Sequence, residues 1–314
     1  MEKLKIMISG ANGFIGSNLV KKMFEEGHDV YALINDMGNL WRLKDLIHKI
    51  TILNLDVTNR SKTFDIFNRV KPEVVLHTAA KNINNLEKNK IKIFDVNLYG
   101  TMNLLDASDF VGTSTFVNTG TVFEYGAKQL PITEEDKLTP NTDYSISKAF
   151  ATEYCLFKSK LSKMNISTLR LFTPYGYFED KFRLIPYILA SLLKNKKMYL
   201  SNPLNVRDFV FIEDVMEAYS SVISANLEEN GEIFNIGYGV QHSVNDVIKI
   251  SGDLVGITPQ ISWGKMGRPG DESKVWQADI TKARNLLHWN PKIHMKEGIS
   301  KTLEWIKQNM EDYS

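Results

Sequence analysis

The sequence predicts an α/β fold, a doubly wound parallel sheet followed by a smaller C-terminal domain. Three observations predict it. Short apolar segments alternate with helical segments in the first half of the chain, a glycine-rich turn follows the first apolar segment, and the alternation stops after residue 172. Such alternation is typical of βαβ units, whose right-handed crossovers cover both faces of a parallel sheet with helices.

The elements of the first half are short and regular. Predicted strands span residues 4–9, 30–34, 51–55, 73–77, 115–118 and 166–171, and predicted helices span 14–26, 61–70, 87–109 and 143–163. The strands are apolar enough to be buried on both faces, and the helices repeat apolar residues every three or four positions. We therefore assign residues 1–172 to the sheet domain.

The second half loses this rhythm and becomes irregular. Helices are predicted at 184–193, 213–225 and 244–255, strands at 207–212 and 232–236, and a loop-rich region around 259–270. We predict that residues 173–314 form a partly interleaved second domain that binds the substrate. Segments around 206–240 are expected to return to the main sheet.

The composition excludes several classes of function. Lys and Arg number 38 against 37 Asp and Glu, so a net charge of +1 gives no support for a nucleic-acid surface. No apolar run is long enough to span a membrane, and nothing resembles a secretion signal, so a cytoplasmic protein is expected. The single cysteine, Cys155, is expected to be a buried apolar residue, and no metal site is predicted.

The turn after the first strand predicts a dinucleotide site. Closely spaced glycines let the backbone approach a pyrophosphate, and the helix that follows directs its N-terminal N–H groups at the anion. Between a strand and a helix, this pattern indicates a Rossmann-type domain that binds NAD or NADP. The residues expected to contact the cofactor here are Gly10, Asn12, Gly13, Phe14, Ile15 and Gly16.

The ends of the next two strands do not decide between NAD and NADP. Asn35 and Asp36 follow the second strand, where an acidic side chain suits the ribose of NAD and a basic one the phosphate of NADP. Arg42 lies further along and offers a positive charge. Asp56 and Val57, after the third strand, are expected near the adenine.

A tyrosine and a lysine one helical turn apart predict the reacting centre. Tyr144 and Lys148 share one face of the helix at 143–163. An ammonium near the phenol would lower the pKa of Tyr144, so that it exchanges a proton with a carbonyl or hydroxyl oxygen while hydride moves. Thr119, at the end of the fifth strand, is predicted to hold the reacting oxygen, with Thr121 as the alternative.

With these residues in place, the chain resembles the extended short-chain dehydrogenase/reductases, specifically the nucleotide-sugar epimerase, dehydratase and reductase group. The resemblance rests on motifs spread along nearly the whole chain. They are GANGFIG at 10–16, HTAA at 77–80, DVNLYGT at 95–101, NTGTVFEYG at 118–126, YSISK at 144–148, RLFTPYG at 170–176 and NVRDFVFIEDV at 205–215.

The resemblance implies further site residues and a partner. Ala79 and Ala80 would line the cofactor, Asn97 would support the central helix, and Pro174 would flank the nicotinamide. Arg207 and Arg268 would meet the phosphates of a nucleotide-sugar substrate, because a guanidinium binds two oxygens at once. Members of this group commonly form homodimers through two long helices, which would be those at 87–109 and 143–163.

The resemblance leaves three functions open. The 4,6-dehydratases of the group carry Asp-Glu after the catalytic hydroxyl, where Gly120 and Thr121 follow Thr119, so dehydration is not expected. The Thr-Gly-Thr motif is closer to 4-ketoreductases of CDP- or dTDP-4-keto-6-deoxyhexoses, which is the leading prediction. The alternatives are a nucleotide-sugar 4-epimerase that retains NAD, and a non-catalytic dinucleotide-binding sensor.

Overall fold

The computed structural model describes residues 3–81, 89–129, 131–225, 227–264 and 275–313. Most of its strands belong to one parallel sheet. In chain order the strands are β1 (Lys5–Ser9), β2 (Asp29–Ile34), β3 (Thr51–Asn54), β4 (Val74–His77), β5 (Thr115–Thr121), β6 (Asn165–Leu171), β7 (Thr173–Tyr175), β8 (Met198–Leu200), β9 (Val206–Phe211), β10 (Glu232–Ile236), β11 (Gln241–Ser243) and β12 (Ile261–Trp263).

Helices connect these strands and cover both faces of the sheet. They are α1 (Phe14–Glu25), α2 (Arg60–Val70), α3 (Ile91–Phe94), α4 (Gly100–Val111), α5 (Asp143–Ser159), α6 (Leu184–Leu193), α7 (Ile212–Ser224), α8 (Val244–Val255), α9 (Thr281–Leu287) and α10 (Met295–Gln308). The central strand β1 shows the layering, because Ile6 and Ile8 pack into one apolar cluster and Met7 into the other.

The seven-stranded main sheet has the order β10-β6-β5-β4-β1-β2-β3, and every neighbouring pair is parallel. The predicted α/β fold with a doubly wound Rossmann-type sheet is therefore confirmed. The strand order reverses at β1, which lies between β2 and β4. Ligands of such sheets bind in the crevice at the carboxyl ends of the strands beside this switch point.

The long helix predicted at 87–109 is interrupted by a π-helical turn. Residues 82–88 lie outside the described part of the chain. From there α3 leads into a π-helix at Asp95–Tyr99, which α4 continues without a break. π-Helical turns inside α-helices frequently occur at functional sites, and this one holds Asn97.

The second half contributes one strand to the main sheet and forms two small sheets. β10 pairs with β6, whereas β9 lies between β11 and β7 in a three-stranded sheet, and β12 pairs with β8. Of the two strands expected to return to the main sheet, only β10 does so. The sequence analysis assigned neither α9 nor α10, although α10 buries Met295, Ile299, Leu303 and Ile306 at helical spacing.

Within the described residues, no helix is both long enough and apolar enough to cross a bilayer. The same residues contain no group of three or more His, Cys, Asp or Glu side chains arranged to hold a metal ion. Cys155 is buried in α5, as its apolar surroundings in the sequence predict.

Candidate active site

The glycine turn after β1 is packed so tightly that side chains would not fit. Gly10 has φ +67°, and a Cβ there would lie 2.7 Å from the backbone of Ala79. A Cβ at Gly16 would collide with the carbonyl oxygen of Gly10. Helix α1 begins after Gly13 without a side-chain cap, so its first N–H groups remain available to an anion. This cradle fits a dinucleotide pyrophosphate.

Asn12 and Arg42 fix this turn against its surroundings. The side-chain amide of Asn12 donates to the backbone carbonyl of Asn39 at 3.2 Å. The backbone carbonyl of Asn12 accepts from Arg42 Nη1, also at 3.2 Å. Arg42 Nε donates to the carbonyl of Phe178 at 2.7 Å. The guanidinium of Arg42 therefore links the glycine turn to the loop after β7, and two of its nitrogens donate to backbone carbonyls.

The acidic residues after β2 and β3 are exposed and close their own turns. Asp36 accepts from the N–H of Gly38 at 2.9 Å, and Asp56 accepts from the N–H of Thr58 at 2.9 Å. Asn35 is also exposed. These positions lie at the carboxyl edge of the sheet, the edge that bears the glycine turn.

Asn97 connects the segment after β4 with the helix of Tyr144. It is fully buried, accepts from the N–H of Lys81 at 2.7 Å, and donates to the carbonyl of Lys81 at 3.0 Å. It also donates to Ser147 Oγ at 2.9 Å. The residues before Lys81 lie beside the glycine turn, where Ala79 N–H donates to Ser9 Oγ at 3.3 Å.

The structure places Thr121, not Thr119, beside the phenol of Tyr144. Tyr144 lies in the first turn of α5, and the side chain of Thr121 is close enough to its phenol to lower the pKa of Tyr144. The hydroxyl of Thr119 instead bonds to the phenol of Tyr219 at 2.5 Å. Thr119 thus has a different partner in this structure, and Thr121, its alternative, is the threonine whose side chain acts on the pKa of Tyr144. Which of the two holds the reacting oxygen stays a prediction.

The charge environment of Tyr144 also differs from the prediction. Tyr144 is half-buried, and this burial raises the pKa of its phenol to about 12. The carboxylate of Glu124 raises this pKa further, whereas Thr121 and Arg183 oppose the shift. The prediction that Lys148 acidifies the phenol is wrong for the protein's own residues, since desolvation dominates.

Lys148 lies one turn beyond Tyr144 and is almost completely buried. Burial lowers the pKa of Lys148, an effect that the charges of Glu124 and Cys155 oppose. Its own positive charge helps to depress the pKa of His77, which burial lowers to about 3. The ammonium of Lys148 is therefore close enough to His77, at the end of β4, to affect its pKa.

The residues predicted to meet the substrate lie in the second half of the chain. The guanidinium of Arg207, on β9, stacks 5.1 Å from the ring centroid of Trp276, and its Nη1 donates to the carbonyl of Val206 at 2.7 Å. Pro174, which is expected beside the nicotinamide rather than the substrate, lies in β7, opposite Val210. Arg268 falls outside the described residues.

A buried ion pair that no sequence motif predicts lies next to the site. Glu124 and Arg170 are almost inaccessible to solvent, and Arg170 Nε lies 2.8 Å from Glu124 Oε2. The two residues are 46 positions apart, so no local pattern announces the pair.

The fold and the Tyr-Lys pair define an enzyme of the short-chain dehydrogenase/reductase type. The model of the NAD dependent epimerase/dehydratase family matches residues 6–237, and the chain belongs to this family. This membership confirms the resemblance seen in the sequence motifs and favours an enzyme over a sensor.

Relatives match the chain over nearly its full length. A UDP-glucuronate 4-epimerase from Thermodesulfobacterium geofontis is 30% identical over 321 residues, which cover 97% of each chain. The crystal structure of a UDP-glucose 4-epimerase from Thermotoga maritima with UDP-glucose has a TM-score of 0.88 at 25% identity, over 97% of this chain and 99% of that one. A dTDP-glucose 4,6-dehydratase from Bacillus anthracis in complex with NAD also has a TM-score of 0.88, at 26% identity over 98% of each chain.

Proposed function

We propose that this enzyme is a 4-epimerase of a UDP-linked hexose or hexuronate and keeps NAD bound through the reaction. The observation that carries the proposal is the placement of Tyr144 and the buried Lys148 one helical turn apart at the start of α5, in a chain whose glycine turn after β1 is packed tightly enough to cradle a pyrophosphate. The full-length similarity to two 4-epimerases of UDP-sugars supports the choice of reaction and of substrate class.

In this proposal, the chain's own residues bind the cofactor and move one proton. The N-terminus of α1, with Gly10, Gly13 and Gly16, would hold the pyrophosphate, and Ala79, Ala80 and Pro174 would line the cofactor. When bound, NAD supplies the hydride acceptor and, in its oxidised form, a positive charge beside the phenol. The exposed Asn35 and Asp36 offer no cation for a 2′-phosphate, which favours NAD over NADP.

Tyr144 would exchange the proton of the sugar O4 oxygen. Thr121 would hold that oxygen in line with the phenol, and the buried Lys148 would supply positive charge beneath it. Arg207, and Arg268 from outside the described residues, would bind the diphosphate of the sugar nucleotide. Residues 173–314 would thus provide the substrate side of the site, and residues 1–172 the cofactor side.

A 4-ketoreductase of a CDP- or dTDP-4-keto-6-deoxyhexose is the second candidate. The specific observation in its favour is the raised pKa of Tyr144, about 12, which keeps the phenol protonated at neutral pH. A protonated phenol is ready to donate to the alkoxide formed by hydride delivery. The same residues serve both candidates, and the difference is whether the reduced cofactor is consumed.

The experiment that tests the proposal measures product and cofactor together. Purified protein with NAD is incubated separately with UDP-glucose and UDP-glucuronate, and the 4-epimers are resolved by chromatography. Epimer formation without net change in absorbance at 340 nm is expected, and Tyr144→Phe should lower the rate by about 10² to 10⁴ fold. Absence of epimerisation, with NADH or NADPH consumed by a dTDP-4-keto-6-deoxyhexose, would replace the epimerase with the reductase.

We also propose that the enzyme is a homodimer in which α4 and α5 meet their counterparts. Large apolar side chains on these helices point into solvent, as in Phe110 at 68% exposure and Phe150 and Phe157 at 53%. Large exposed apolar side chains, when they cluster, mark sites of protein–protein contact. The two helices already pack on one another, so a second copy would extend them to a four-helix contact.

A further inference from the structure

We propose that Glu124 is a positioning residue, which together with Arg170 holds Thr121 and helix α5 in the arrangement that lets Tyr144 react. The inference rests on the proposed role of Tyr144 in proton exchange. It adds a buried charge pair to that site, for which the family resemblance offers no role.

The carboxylate of Glu124 joins three separate elements. Its Oε1 accepts from the N–H of Thr121, at the end of β5, at 2.8 Å. Its Oε2 accepts from the hydroxyl of Thr152 on α5 at 3.0 Å and from Arg170 Nε on β6 at 2.8 Å. One side chain therefore fixes the strand that carries Thr121 relative to the helix that carries Tyr144.

The contacts of Glu124 reach the strand end that carries Thr121 and the helix that carries Tyr144. The backbone N–H of Thr121 donates to the carboxylate, which fixes the end of β5 at this residue, and the hydroxyl of Thr121 accepts from the N–H of Phe123 at 3.4 Å. Thr152 lies one helical turn after Lys148 and two turns after Tyr144, on the same face of α5. Moving Glu124 would thus change the distance between the threonine hydroxyl and the phenol, which sets the efficiency of proton exchange.

The ion pair is costly to maintain, and the neighbouring sequence accommodates it. Glu124 is fully buried and Arg170 is 2% exposed. A buried pair is often no more stabilising than apolar residues of the same volume, so its presence asks for another reason. Gly120 makes the room, because a Cβ there would lie 2.8 Å from Glu124 Oε1 and 2.9 Å from Arg170 Cγ.

The pair also sets the charge around the reacting groups. After burial, the charge of Glu124 is the next largest cause that raises the pKa of Tyr144, and it opposes the lowering of the pKa of Lys148. The other charged or titratable groups that face these two residues are Arg183, His77 and Cys155. The positive charge of Arg170 partly neutralises the carboxylate of Glu124. Its guanidinium also stacks 4.6 Å from the ring centroid of Tyr125.

The test is a titration of Tyr144 in three variants, using protein saturated with NAD and labelled with ¹³C at the ζ carbon of tyrosine. Tyr144→Phe assigns the resonance among the 12 tyrosines. Glu124→Gln, which removes the negative charge, should lower the pKa of Tyr144 by about one unit, and Arg170→Met should raise it by a similar amount. The double variant should titrate close to the wild type.

Opposite shifts are the expected result, and shifts of the same sign, or none, would overturn the proposal. A purely structural pair would lower stability in both single variants without moving the titration in opposite directions. The titration needs no sugar. Opposite shifts in a protein that epimerises no UDP-sugar would therefore refute the proposed function alone, and unshifted titration in an active epimerase would refute the role of Glu124 alone.

A milder variant keeps the proposal testable if a single charge removal prevents folding. Thr152→Val removes one hydrogen bond to Glu124 and keeps the charge and the side-chain volume. We expect kcat to fall about threefold to tenfold while KM stays within about twofold. Thr302→Val, the same change at a buried helical threonine on α10, should leave kcat unchanged. Equal kcat values in the two variants would overturn the proposal.

Discussion

The hydroxyl of Thr119 shares a 2.5 Å hydrogen bond with the phenol of Tyr219, which lies on α7 and is fully buried. Thr119 therefore has a buried tyrosine as its partner in this structure, although it stands only two residues from Thr121. Side chains at i and i+2 of a strand point to the same face, so both threonines face the helices on that side of the sheet. Thr119 bonds to Tyr219, whereas Thr121 acts on Tyr144, so we expect the two threonines to have different roles.

Exchanging each threonine for valine should separate these two roles. Thr121→Val is expected to lower kcat by about 10² fold with little change in melting temperature, because the hydroxyl meets the reacting phenol. Thr119→Val leaves the buried phenol of Tyr219 without its partner, which costs about 1–3 kcal/mol of stability. Its kcat should fall by no more than about threefold. Steady-state kinetics and thermal unfolding of both variants check the prediction, and the reverse pattern would reinstate Thr119 at the site.

Glu179 predicts a pH dependence of stability. Its side chain is buried, and among the described residues its Oε2 has no hydrogen-bond partner. Burial raises the pKa of Glu179 to about 8, although the charge of Arg183 opposes the shift. The unfolded chain releases this proton near pH ~4.3 and the folded protein only near pH 8, so stability falls as the pH rises between these values.

Glu179→Gln should remove the pH dependence of stability that arises from this carboxyl group. At pH 5 the protonated carboxyl and the amide are alike, so the melting temperatures of variant and wild type should be close. At pH 8 the variant should melt several degrees higher than the wild type. Glu229→Gln, at an exposed glutamate, serves as the control and should show no such widening. A constant difference between Glu179→Gln and wild type across this pH range would contradict the prediction.

The exposed apolar residues on α4 and α5 predict which substitution dissociates the proposed homodimer. Phe157→Glu places a charge in the centre of that surface, where desolvating it without a partner is unfavourable. The molar mass measured by light scattering should fall to that of a single chain, 35.8 kDa. Leu204→Glu, at a residue that is 77% exposed on a different part of the molecule, should leave the mass unchanged. A wild-type mass of one chain would refute the dimer itself.

The parts of the site that the sequence predicted are those that depend on neighbours along the chain. The glycine turn, the first helix and the Tyr144–Lys148 spacing each lie within one or two helical turns, so residue types alone indicate them. The alternation of strands and helices likewise predicted the parallel sheet. Bounds agreed to within one or two residues for most elements, including α6 and α8.

The parts that the sequence missed depend on contacts between distant residues. Thr119 and Thr121 have the same spacing and the same face, and only Tyr219, 100 positions away, distinguishes them. The effect of Lys148 on Tyr144 could not be judged without knowing how deeply α5 is buried or that Glu124 lies behind it. The π-helical turn around Asn97 arises where Lys81 and Ser147 meet the helix, and its apolar spacing looks like that of an ordinary α-helix.

The closest packing in the cofactor cradle predicts that Gly16 is essential for NAD binding. A Cβ at this position would meet the carbonyl oxygen of Gly10 and lie 2.9 Å from Cα of Ala11, and both contacts are with backbone. Backbone cannot swing aside as a flexible side chain can, so Gly16→Ala must push the first turn of α1 away from the loop. The N–H groups at that turn would then no longer converge on the pyrophosphate.

We expect Gly16→Ala to weaken NAD binding by at least about tenfold in calorimetric titration, which requires no sugar substrate. Gly252→Ala is the matched control, because Gly252 also lies within a helix and also faces a backbone carbonyl oxygen, that of Ile257. A Cβ there would lie 3.1 Å from this oxygen, whereas a Cβ at Gly16 would collide with the oxygen of Gly10, so a far smaller shift relieves the contact at Gly252. The control should bind NAD like the wild type. Circular dichroism of both variants distinguishes loss of binding from loss of fold, and a folded Gly16→Ala protein with wild-type affinity would show that the cofactor is held elsewhere.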